Sequence, residues 1–207
     1  DVIVCGGGPA GLVAAVAAQS PIKTSKDLTS AMRTNLAAVP VAGGSAGGVD
    51  HMFAGVLARA AKASPESLVY MPFAGGNEVV ESLVSGKAAV GLSGYSEFSD
   101  AIAAGKLRAI GVSSRRSVFG IPAFREQGVD AAMANWRGVF TGKGVSTART
   151  AEMLAAVEAA TNHDSWQRTL KQNRWDASWL SGKDLAEFIE LELTTARVMV
   201  YLLKLKA

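Results

Sequence analysis

The sequence predicts an α/β protein, and three observations carry that prediction. Short apolar runs alternate with helical patterns at close intervals, glycine-rich loops stand between several of those runs and the helix that follows, and the C-terminal part reads as predominantly helical. Alternation of this kind argues for a parallel or mixed sheet with helices on both faces.

Taken in order, Val2-Ile3-Val4-Cys5 reads as a short buried strand, the next three glycines as a tight turn, and the alanine-rich residues 9–18 as a helix. Ser20-Pro21 breaks that unit. A helix is expected over residues 25–34, entered through the hydroxyls of Thr24-Ser25 with Asp27 as the acid of its first turn. Val39-Pro40-Val41-Ala42 is the next strand. After the loop at 43–48, Met52, Phe53, Val56, Leu57 and Ala60 recur at the helical period, so a helix starts near Val49 with its N-terminus toward that loop. Strands follow at 68–71, 88–92 and 108–112, with helices at 77–85 and about 95–104 between them. Pro122 and Gly128 punctuate a turn-rich segment, and Trp136-Arg137-Gly138-Val139-Phe140 reads as a strand entering another sheet. Helices are expected over 147–161, 164–173 and 182–203, the last with Leu185, Phe188, Ile189 and Leu193 on one face.

A chain of 207 residues makes one large domain or two small ones, and 49% hydrophobic with 19% charged residues is an ordinary globular balance. The net charge is +3, with basic residues scattered rather than interleaved with aromatics, which suits a small anion and argues against nucleic acid. Cys5 is the single cysteine, so an internal disulfide and a multi-cysteine metal site are excluded. His51 and His163 stand far apart, which argues against a metal; a structural hydrogen bond is expected of the first and helix capping of the second. Gly91-Leu92-Ser93-Gly94 has the wrong spacing for a Gly-x-Ser-x-Gly elbow, and no catalytic residue is assigned. No apolar run is long enough to span a bilayer, and Asp1 stands where an export signal would carry basic residues.

Gly6-x-Gly8-x-x-Gly11 resembles the dinucleotide-binding opening of flavoprotein oxidoreductases, in which glycines admit a pyrophosphate to a helix N-terminus. The alternative reading of the chain as an FAD- or NAD-dependent oxidoreductase fragment rests on these glycines. What should follow is a second strand ending in an acid about 20 residues on. The chain instead enters a loop and a helix, and Asp27, the only acid near that spacing, suits a helix start. No cofactor is therefore expected.

Most of the chain resembles another family. Ser20-Pro21-Ile22-Lys23-Thr24, Gly43 through His51, Met71-Pro72-Phe73-Ala74-Gly75-Gly76, Ser93-Gly94-Tyr95-Ser96-Glu97-Phe98, Ala104 through Ser114 and Asn135 through Phe140 together look like the substrate-binding proteins of tripartite tricarboxylate transporters, the Bug-type periplasmic solute receptors. The resemblance implies a fold of the periplasmic-binding-protein type 2 kind, with two α/β lobes that close on a small carboxylate without chemical turnover. It also implies a periplasmic location and membrane transporter subunits as partners. On this resemblance residues 21–130 form a near-complete second lobe and 131–207 the return strand and C-terminal helices of a truncated first lobe, while residues 1–18 are an appended flavoprotein-like start. Apolar helix faces left without that lobe are expected to favour self-association.

Three strand-to-helix loops then become the expected ligand site. In the first, Ser45 and the amides of Ala46, Gly47 and Gly48 are expected to donate to a carboxylate, because glycines let main-chain N–H groups converge at a helix N-terminus. The family pattern carries a hydroxyl where this chain has Gly48, and Asp50 adds a negative charge nearby. The second comprises Phe73, Gly75, Gly76 and Asn77, with Phe73-Ala74 where the family usually has Tyr-Lys; the third comprises Ser93, Gly94 and Tyr95. All three fall at the carboxyl edge of one sheet, where ligands sit in open α/β folds. Glu97 is expected to be a first-turn helix acid, Trp136 to pack, and Arg137 to make an ion pair or face the ligand.

Overall fold

The computed structural model describes residues 2–3, 11–175 and 177–205. The chain gathers into two compact units, one from Ala10–Ala134 with Ala196–Ala207, the other from Asp1–Pro9 with Asn135–Thr195. The first strand, β1 (Val2–Ile3), belongs to the second of these.

The larger unit runs β2 (Val13–Ala17), α1 (Ser25–Thr34), β3 (Val41–Gly43), α2 (Val49–Ala60), β4 (Tyr70–Pro72), α3 (Gly76–Val84), β5 (Val90–Ser93), α4 (Tyr95–Ala103) and β6 (Leu107–Val112). Its sheet has the order β4-β3-β5-β2-β6. β3 pairs in parallel with β4 and β5, while β2 pairs antiparallel with both β5 and β6. The C-terminal ends of β3, β4, β5 and β6 and the start of β2 therefore share one edge. Each face of the sheet has its own core. Leu12, Ala14 and Val16 join Leu28, Met32, Phe53, Leu57 and Phe124 on one side, and Val13 and Ala15 join Val79, Leu83, Phe98 and Val112 on the other.

β2 corrects the expected helix over residues 9–18. Val13 to Val16 are wholly buried and point alternately into the two cores. A strand covered on both faces is apolar at every position, so its sequence lacks the polar alternation that would mark it as extended. Gly11 explains the glycine at the entry to β2. Its φ is +63°, and a Cβ there would stand 2.5 Å from the Ser114 amide nitrogen, so neither the conformation nor the space admits a side chain. Gly6, Gly8 and the end of the strand expected over 2–5 lie outside the described residues.

At the opposite edge α1 begins with a complete capping box. Thr24 Oγ1 accepts from the Asp27 amide, and Asp27 Oδ2 accepts from the amides of Thr24 at 2.9 Å and Lys23 at 3.0 Å. Those bonds, the Lys23 amide first, hold the Asp27 carboxyl below its ordinary range. This acid is a helix cap rather than a ribose ligand.

In the smaller unit β1 pairs antiparallel with β7 (Val139–Phe140), and α5 (Thr147–Thr161), α6 (Asp164–Asn173) and α7 (Gly182–Leu202) follow. The Trp136 ring meets Phe188 edge-on at 5.5 Å, and its Nε1–H donates to Glu192. Arg137 donates to Asn135 Oδ1 and to the Trp136 carbonyl. His163 caps α6, its Nδ1 accepting from the Ser165 amide, as its position at a helix junction suggested. Packing here is thin: Leu185 is buried, but α5 buries no residue and Phe140, Leu191 and Leu193 are about half exposed. α7 ends in the larger unit, where the Leu203 side chain fills the space beside Gly55 of α2.

Candidate ligand-binding edge

Four helices of the larger unit divide by how they start. α1, at one edge, is capped by a side chain; α2, α3 and α4, at the other, have glycine N-caps, Gly48, Gly75 and Gly94, and none has a side-chain cap hydrogen bond. A helix leaves its first-turn N–H groups unpaired unless something outside the helix accepts from them. Three such ends at one sheet edge concentrate donors and positive dipole there.

The first loop joins β3 to α2 and is fixed from both sides. The Gly44 amide donates to Asp50 Oδ2 at 2.8 Å, and the Gly44 carbonyl accepts from the Tyr70 hydroxyl at 2.8 Å. The Gly47 amide donates to His51 Nδ1 at 3.0 Å, and the Gly48 amide to the Ser45 carbonyl at 2.9 Å. Gly47 has φ +79°, which brings its N–H back toward the helix. Between these anchors Ser45 and Ala46 are exposed, and their amides, like that of Val49, make no hydrogen bond among the described residues. Of the expected donors, then, Ser45 and Ala46 are presented outward while the Gly47 and Gly48 amides shape the turn.

The His51 ring is buried and stacks on Tyr70, centroids 4.0 Å apart and 7° from parallel. Burial lowers the His51 pKa. It raises that of the Tyr70 hydroxyl far above the ordinary range, with Asp50 adding to the effect. The structural hydrogen bond expected of His51 is the one to Gly47.

The second loop joins β4 to α3. The Phe73 amide donates to the Gly43 carbonyl at 2.8 Å, which ties this loop to the first, and the Phe73 ring packs on the core. Glu78 Oε2 accepts from the Ala74 amide at 2.9 Å. Gly76 lies directly against the Glu97 side chain, which leaves no room for a Cβ there. Asn77 is exposed and does not cap the helix. In the third loop Ser93 ends β5 beside Val13 of β2, and Tyr95 opens α4. Glu97 is in the first turn of α4, as expected, but its carboxylate reaches the start of α3.

A fourth segment at this edge escaped the sequence reading. Ser113 follows β6, and its buried hydroxyl accepts from the Leu12 amide at 2.7 Å while donating to the Met133 carbonyl at 2.6 Å. The chain continues through Ser114, Arg115 and Arg116 to Phe119, whose ring stacks on Tyr95 at 4.5 Å. Glu126 fastens this segment from behind, accepting from the Ser117 hydroxyl and from the Ser117 and Ala123 amides; the hydroxyl bond first, these hold its carboxyl below the usual range. The available signal was Ser-Ser-Arg-Arg directly after a strand. No helix follows it, so the strand-to-helix pattern passed it by. Among the described residues no group of three His, Cys, Asp or Glu could hold a metal ion.

The family model described as the tripartite tricarboxylate transporter family receptor, TctC, matches residues 1–205. The chain belongs to that family. A search of curated proteins found no match. Among solved structures, a TctC solute-binding protein from Polaromonas is 20% identical with a TM-score of 0.75, covering 99% of this chain and 69% of its own. An R. palustris protein with adipate is 16% identical (TM-score 0.77; 98% of this chain, 67% of that one), and MatC from Rhodopseudomonas palustris with bound malate is 19% identical (TM-score 0.73; 96% and 68%). These likenesses place the fold with the TctC and periplasmic binding proteins. The match begins at residue 1, and β2 is an interior strand of the five-stranded sheet, paired with β5 and β6, so the first eighteen residues read with the receptor family; the oxidoreductase alternative has no support. No helix among the described residues is long and apolar enough to cross a membrane.

Proposed function

We propose that this receptor captures a small carboxylate at the edge formed by its three glycine-capped helices, releases it unchanged, and passes it to the membrane subunits of a tripartite transporter from the periplasm. One observation carries the reading: α2, α3 and α4 turn N-termini without side-chain caps toward one sheet edge, with the Ser45, Ala46 and Val49 amides of the first loop unpaired among the described residues. Convergent main-chain donors at helix N-termini suit a carboxylate and need no buried lysine. Adipate and malate, the ligands of two structural neighbours, belong to the same chemical class.

Roles divide among the loops. Ser45, Ala46 and Val49 receive the carboxylate, while Gly47 and Gly48 give the turn its shape. Phe73 and Tyr95 are walls; Gly75, Gly76, Asn77, Ser93 and Gly94 line the remaining edge. Glu78 and Glu97 bring negative charge to the start of α3, whereas the acid of the first loop, Asp50, is already bound to the Gly44 amide, so the ligand's carboxylate is best received at the first loop.

Calorimetric titration with a panel including adipate and malate tests this. The expected result is one-to-one binding by at least one member, loss of binding in Gly47→Val, and recovery of the ligand unaltered by NMR after incubation. Absence of binding across mono- and dicarboxylates, or a chemically changed ligand, would contradict it.

A further inference from the structure

We propose that His51 is a positioning residue for the first loop and works only with its ring neutral: unprotonated Nδ1 holds the Gly47 amide, and a proton on that nitrogen releases it. The inference rests on reading this loop as the carboxylate subsite.

The geometry fixes the tautomer. The Gly47 N–H donates to His51 Nδ1 at 3.0 Å, so that nitrogen has no proton and Nε2 carries it. The ring cannot turn away easily, because it is buried and lies flat on Tyr70 at 4.0 Å. Tyr70 is itself tied to the loop through the Gly44 carbonyl, and Asp50, next to His51 in α2, takes the Gly44 amide. Gly44 and Gly47 thus bracket Ser45 and Ala46, and side chains from the first turn of α2 and from β4 hold both brackets.

Protonating Nδ1 sets two donors against each other at Gly47. That residue keeps φ +79° with help from the bond, so the loop loses one of its two anchors. Among the described residues the charged and titratable neighbours are few. Asp50 is bound to the Gly44 amide, and Tyr70 stays neutral because its pKa is pushed upward. The segment after α7 brings Leu205 against Gly47, and Lys204 beside it is paired with Glu66. Burial lowers the His51 pKa. The anchoring is therefore complete above the ordinary histidine range and is lost as the pH falls through the depressed folded value.

The test combines NMR of the ¹⁵N-labelled full chain with adipate titrations of the wild type, His51→Asn and His51→Phe. At about pH 7.5 the ring should show the Nε2–H tautomer, and toward about pH 5 the Gly47 amide resonance should move with the same midpoint as the ring. Adipate affinity should drop ~10-fold in His51→Phe, which keeps a flat ring but no acceptor. His51→Asn, whose Oδ1 replaces Nδ1 as acceptor, should restore most of it and remove the pH dependence above the carboxylate range. An Nδ1–H tautomer, a Gly47 amide indifferent to the ring, or full affinity in His51→Phe would overturn the proposal. If adipate and malate bind at no pH, the subsite reading fails, and the Gly47 resonance still decides whether His51 anchors the loop.

Discussion

Gly11 shows how one residue can look functional for the wrong reason. It completes a glycine fingerprint in the sequence, yet in the fold it makes the turn into β2 against Ser113 and Ser114. Gly11→Ala should cost more than about 2 kcal/mol, because a left-handed conformation and an overlap with backbone both oppose the methyl group. Urea unfolding checks this; unchanged stability would contradict it. Asp27 was legible as a helix acid because capping is local, its partners lying within four residues. That His51 makes a structural hydrogen bond was expected, but neither its partner Gly47 nor the stack on Tyr70 was. That contact joins α2 to β4, and nothing in the spacing of the chain records it.

At the scale of elements, the alternation of strand, glycine loop and helix from residue 39 to 112 was readable because each helix carries its own period and each loop its glycines. β2 was not, since burial on both faces removes the alternation that distinguishes a strand from a helix. The segment after β6 was missed because its tie to Tyr95 depends on the fold rather than on local pattern. Two predictions belong here. Glu97 lies against the start of α3, where it opposes any second negative group of a ligand. Glu97→Gln should raise affinity for dicarboxylates more than for monocarboxylates, by severalfold at low salt given the exposure of the group; equal effects on both classes, by calorimetry, would refute it. Glu126, held ionised by Ser117 and Ala123, stabilises the segment carrying Phe119. Because its folded pKa is depressed, that contribution is fully present above the ordinary glutamate value and fades as the pH falls through the folded one. Glu126→Gln should flatten the acid limb of the stability curve, measured by thermal unfolding between about pH 3 and pH 6.

For the whole molecule, the two units differ in how much they bury. The larger has a core on each face of its sheet, whereas the smaller leaves Phe140, Leu191 and Leu193 about half exposed and buries nothing of α5. Apolar surface of this kind favours association. Sedimentation should show concentration-dependent self-association, weakened by Leu191→Glu with Leu193→Glu; a monomer at all concentrations would count against it. The sequence placed the fold class and the family because both are written in repeated, local motifs. It did not show which amides remain unpaired, because that depends on which neighbours reach them first.

The central claim is that the glycine-capped edge of the larger unit receives a carboxylate. Adipate titrated into ¹⁵N-labelled protein, followed by backbone amide resonances, addresses it most directly. The account predicts saturable shifts centred on Ser45, Ala46 and Val49, with smaller ones at Gly75 to Asn77 and Ser93 to Tyr95. Shifts confined to the Gly6 to Gly11 segment or to α5 and α6, with those three loops silent, would contradict it.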